Sequence, residues 1–84
     1  MDTKTLITVI AMEECGELTR ALSKTLRHGT TKNLVEEIGD VLAMIYLVKD
    51  QYNLSEDEIL KQVTARTEKV EKQLSSKNSV DKKN

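Results

Sequence analysis

Six carboxylates carry the most pointed chemistry in this sequence, in two short segments, Glu13-Glu14-Cys15-Gly16-Glu17 and Glu36-Glu37-Ile38-Gly39-Asp40. The acid-x-x-acid spacing of Glu14 with Glu17, and of Glu37 with Asp40, makes each pair neighbours on a helix surface. On a helix advancing about 100° per residue, Glu14 and Glu17 fall in the stripe of Ile7, Ile10, Leu18 and Ala21, and Glu37 and Asp40 continue the line of Met44 and Leu47. Four acids are therefore predicted to face an interior, with no lysine or arginine inside either segment to pair them. Like charges in a low dielectric cost several kcal/mol per ion unless they are neutralised, paired or bound to a cation. Hard oxygen donors without thiol or imidazole suit magnesium, manganese or calcium, and magnesium shares its shell with water and substrate phosphates. The expected cofactor is Mg²⁺, with Mn²⁺ as its substitute.

Gly16 and Gly39 hold matching places in the two segments. A glycine inside a helix costs about 1 kcal/mol relative to alanine, so two in register predict a close approach of backbone or ligand. One Glu-x-x-Glu alone reads as a solvated helix face. Two in apolar stripes with matched glycines read as a site.

The elements that position these acids are three helices. The first is predicted from Thr3 to Arg27, with Gly29 as its left-handed cap. The second runs from Asn33 to Tyr52, where Asn33 and Glu36 can form a capping box. The third follows Ser55, which repeats that signature with Glu58, and carries Ile59, Val63, Val70 and Leu74 at helical spacing as far as Leu74. Residues 1–75 are expected to form one helical domain and 76–84 a flexible polar tail. The run VLAMIYLV over 41–48 is apolar all round and must be covered on more than one side. The expected architecture is all-α, a three-helix subunit forming an oligomeric helical bundle, as a homodimer or homotetramer.

Composition supports this. A chain of 84 residues is one domain at most and marginal as a monomer. The lone Cys15 excludes an internal disulfide, is expected to be a small buried or half-buried helix residue, and fits a reducing compartment. No membrane span and no signal peptide is evident, so a cytoplasmic location is expected. Residues 1–60 carry 6 basic and 11 acidic side chains, and residues 61–84 carry 7 and 3. With two tyrosines and no tryptophan or phenylalanine, the chain lacks the aromatic and basic surface of a nucleic-acid-polymer binder.

The pattern Glu13-Glu14-x-x-Glu17 followed by Glu37-x-x-Asp40, with the flanking stretches ELTRALSK and NLVEEIGDVLAMIYLV, resembles the all-α nucleoside triphosphate pyrophosphohydrolases of the MazG type over roughly residues 5–72. The resemblance implies Mg²⁺-dependent cleavage of a nucleoside triphosphate (NTP or dNTP) between the α and β phosphates, giving the monophosphate and pyrophosphate. It assigns the metal to Glu14, Glu17, Glu37 and Asp40. Glu13 and Glu36 precede the motifs, and either could be the base for the attacking water or a group behind the metal ligands. Lys24, Lys61, Arg66, Lys69 and Lys72 are the candidate cations for the phosphates. Base recognition in this family commonly uses aromatic stacking. Here only Tyr46, Tyr52 and His28 are available, and both tyrosines are expected to pack in the core.

Competing readings are a phosphoribosyl-ATP pyrophosphohydrolase-like enzyme and a non-catalytic nucleotide-binding or regulatory helical dimer. A di-iron carboxylate bundle requires Glu-x-x-His pairs. The single histidine, His28, stands outside both motifs, beside Gly29.

Overall fold

In the computed structural model, which describes the backbone of residues 1–83 and the side chains of residues 1–77, the chain is all-helical: α1 (Thr3–His28), α2 (Leu34–Gln51) and α3 (Glu56–Lys83). It divides into two units, Met1–Asn53 and Leu54–Asn84.

In the first unit α1 and α2 pack along each other. Thr8 meets Tyr52, and Thr25 meets Thr30, so the helices run antiparallel. The Asp2 carboxylate opens α1 by accepting from the Thr5 N–H at 2.7 Å, a cap the sequence reading missed. Gly29 closes it at φ 70°, its N–H donating to the Thr25 carbonyl at 2.8 Å. This is the predicted left-handed cap. The capping box at Asn33 does not form. Asn33 has helical rather than extended backbone angles (φ −102°, ψ 0°), so its side chain does not turn back over the first turn of α2. The free end of the hairpin is closed by the Tyr52 hydroxyl, 2.8 Å from Thr8 Oγ1, with Lys4 Nζ 4.4 Å from the centre of the Tyr52 ring.

Two rows meet along the hairpin: Ile7, Ala11, Glu14, Leu18, Ala21 and Thr25 from α1, and Leu34, Glu37, Val41, Met44 and Val48 from α2, all buried or half-buried. Both alternate steps of three and four, the period of helices packed as in a coiled coil. Ala21 is the single buried apolar residue among those described. No residue of α2 is buried, and Leu42, Ile45 and Tyr46 stay 50, 45 and 58 % exposed. Tyr46 and Tyr52, expected in the core, are exposed because one neighbouring helix covers one face only. Cys15 is also exposed, one step round α1 from the seam, rather than buried.

In the second unit Ser55 Oγ accepts from the Glu58 N–H at 3.2 Å, as predicted. Glu56, Asp57 and Glu58 place negative charge at the helix start, where the helix dipole favours it. α3 continues past Leu74 to Lys83; no glycine or proline interrupts it. The flexible polar tail expected over 76–84 lies for the most part outside the residues whose side chains are described. No described helix is long and apolar enough to cross a membrane.

Two glycines respond oppositely to alanine. Gly29→Ala forces a side chain onto a left-handed backbone and should lower stability by about 1–2 kcal/mol. Gly16→Ala meets open space in a helix interior and should raise it by up to about 1 kcal/mol. Urea unfolding followed by circular dichroism measures both.

Candidate metal centre

Glu14 and Glu37 occupy places in the seam where neighbouring positions are held by alanine, leucine and valine. The antiparallel register brings them together with Asp40, so that Glu14, Glu37 and Asp40 place one carboxylate oxygen each within 4.8 Å of one another. Glu37 Oε2 is buried and has no hydrogen-bond partner among the described residues. A buried carboxylate oxygen without a donor is costly, and it is the kind of atom a hard cation satisfies.

The electrostatics follow from this crowding. Burial raises the Glu14 carboxyl above its usual value, and the charges of Asp40, Glu17, Glu13 and Glu36 add to the rise. Glu37 is raised by burial first, then by Glu17, Asp40, Glu14 and Glu36. The neighbour that acts most on Glu14 is thus Asp40 from the second segment, and the one that acts most on Glu37 is Glu17 from the first. The repeat in the sequence becomes a crosswise arrangement in the hairpin.

Glu17 does not join the three. Its seam neighbour after Glu14 is Leu18, so Glu17 stands off the contact row, exposed, and its Oε1 accepts a charge-assisted hydrogen bond from Arg20 Nη2. Neither segment holds a lysine or arginine, as read from the sequence; the basic partner comes from beyond it. Arg20 lies outside the segment but three residues on, a distance that pairs side chains on a helix. That spacing was the signal available in the sequence. The α1 stripe holds at Ile7, Ile10, Leu18 and Ala21, and the α2 line holds at Met44 but not at Leu47: its row continues from Glu37 through Val41, Met44 and Val48, leaving Leu47 exposed.

Glu13 and Glu36 are exposed at the margin of the cluster, within reach of its field. Lys24 is exposed, and with Ala21, Thr25, Thr30, Lys32, Asn33 and Leu34 it lines a cleft of about 80 Å³ beside the α1–α2 turn. Lys61, Arg66, Lys69 and Lys72 are exposed on α3, in the second unit. The matched glycines do not mark a close approach within the chain: nothing comes within 4 Å of a Cβ built on Gly16 or Gly39.

Acids converging from two helices, the second preceding an apolar run, are the pattern on which one family comparison bears directly. The family model of the MazG nucleotide pyrophosphohydrolase domain matches residues 2–75. The chain belongs to that family. No curated protein and no solved structure matches it. The MazG match spans both acidic segments and all of α1 and α2.

The raised carboxyls give a pH dependence of definite sign. A carboxyl whose folded value lies above its unfolded one binds more protons in the native state, so stability falls as pH rises between the two values. For Glu14 and Glu37 that window opens at the ordinary value of 4.5 and closes at the raised folded values above it. Metal-free protein should therefore gain stability as pH is lowered from neutrality through this window, and Glu37→Gln should flatten the gain. Denaturant titrations at a series of pH values measure it.

Proposed function

We propose that this chain is a divalent-cation-dependent nucleoside triphosphate pyrophosphohydrolase that converts an NTP or dNTP to the monophosphate and pyrophosphate. The observation that carries the reading is the convergence of Glu14, Glu37 and Asp40 from two helices, with Glu37 Oε2 buried and unpartnered, in a chain of the MazG family. The donor set is all carboxylate oxygen, which fits Mg²⁺, with Mn²⁺ as its substitute.

Glu14, Glu37 and Asp40 would hold the ion, with Glu17 as a fourth acid beside Glu37. When bound, Mg²⁺ supplies charge neutralisation at the phosphates and a lowered pKa for a water. Glu13 or Glu36, at the margin of the cluster, accepts the proton of the attacking water. Lys24 lies along α1 from the acids and offers its ammonium to the phosphate chain, whose cleavage depends mostly on positioning and charge stabilisation.

We infer as well that the active form is a homo-oligomer. The exposed Leu42, Ile45 and Tyr46 of α2 form an apolar surface that a second copy of the same helix can cover. Sedimentation should give a mass at least twice the 9.5 kDa of the chain. A monomer at micromolar concentration would contradict this.

Pyrophosphate release from a panel of canonical and modified nucleoside triphosphates, with Mg²⁺ and with chelator, tests the activity. Glu37→Gln and Asp40→Asn should each lower the rate by more than about 100-fold, because removing groups behind a metal's ligands already costs 10–100-fold. Circular dichroism should remain helical in both variants. Metal-dependent nucleotide binding without release would leave a binding protein in place of the enzyme.

A further inference from the structure

The two acidic segments share one pattern of acids and glycine, yet their last acids behave differently. Asp40 turns its carboxylate to Glu14 and Glu37. Glu17, its counterpart, turns to Arg20 instead, with 47 % of its side chain exposed and 64 % of the arginine's. The two repeats differ at the place that would explain this. Three residues after Glu17 stands Arg20, and three residues after Asp40 stands Ala43. The acid with a cation one turn on pairs with that cation, and the acid without one joins the cluster.

We propose that Arg20 competes with the divalent cation for Glu17: its guanidinium holds that carboxylate outside the cluster in metal-free protein and so weakens metal binding. This rests on reading Glu14, Glu37 and Asp40 as a cation site. Glu17 remains within reach of the site, since its charge is the one that acts most strongly on Glu37. Release of Arg20 frees this carboxylate to turn to the ion. One guanidinium nitrogen, Nη2, makes the pair with one carboxylate oxygen, a contact that an ammonium can also make. An exposed pair is a weak interaction, so the competition is readily reversed and its size is modest. The site then fills at a higher cation concentration than four unpaired acids would require.

The test is a Mn²⁺ titration of the full chain without nucleotide, by calorimetry, on the natural protein, Arg20→Gln, Arg20→Lys, Glu17→Gln and the Arg20→Gln/Glu17→Gln double variant. Arg20→Gln should tighten binding about two- to five-fold, the range an exposed ion pair provides, and Arg20→Lys should stay near the natural value. In the Glu17→Gln background, Arg20→Gln should change nothing. Binding that is unchanged or weaker in Arg20→Gln would overturn the proposal. So would a gain of equal size in the Glu17→Gln background, which would mean general charge repulsion rather than competition for this carboxylate. Absence of Mn²⁺ binding to the natural protein would overturn the cation site itself, an outcome distinct from binding that ignores Arg20. All the substituted side chains are exposed, and circular dichroism of each variant confirms the helical fold.

Discussion

Two carboxylates in the seam of a two-helix hairpin are the constraint on which the rest depends. Glu14 and Glu37 stand at positions that the spacing of both helices assigns to apolar contact, and Asp40 adds a third charge within 4.8 Å. The hairpin is thin to begin with, since Ala21 is its one buried apolar residue among those described. A contact surface this small tolerates mutual repulsion poorly. A bound cation would reverse the sign of that interaction, and the same acids would then hold the two helices together.

The caps and the clasp gain importance in that light. Gly29 ends α1 so that α2 can return along it, and the Tyr52–Thr8 hydrogen bond ties the opposite end. The acids lie between these two fixed points. Their meeting is set by the antiparallel register rather than by any contact among themselves. α2 offers its remaining apolar surface outward, so the acids and the surface proposed for self-association fall on different faces of one helix.

Much of this was legible in the sequence because helix periodicity and caps are local. The three helices, the Gly29 cap and the Ser55 cap follow from residues within a turn of one another. The pairing of the two acidic segments was legible because they repeat. What the sequence concealed depends on which notch of each helix meets the other. Reading each helix alone placed Glu14 with Glu17, and Glu37 with Asp40, as equal partners on one stripe. Packing divides the first pair and keeps the second: the contact row steps from Glu14 to Leu18 and leaves Glu17 with Arg20, whereas Asp40, also off the row, still meets Glu37 and Glu14. Arg20 escaped notice because it lies just beyond the segment that drew attention. The exposure of Tyr46 and Cys15 reflects how little one hairpin covers, which composition does not reveal.

The measurement closest to the central claim is the unfolding of the natural chain and Glu37→Gln, each with chelator and with excess Mg²⁺. If the seam acids exist to hold a cation, Glu37→Gln is the more stable protein in chelator, and Mg²⁺ stabilises the natural chain while leaving the variant nearly unchanged. A natural chain indifferent to Mg²⁺, together with a variant destabilised in chelator, would make Glu37 a structural residue and contradict the account.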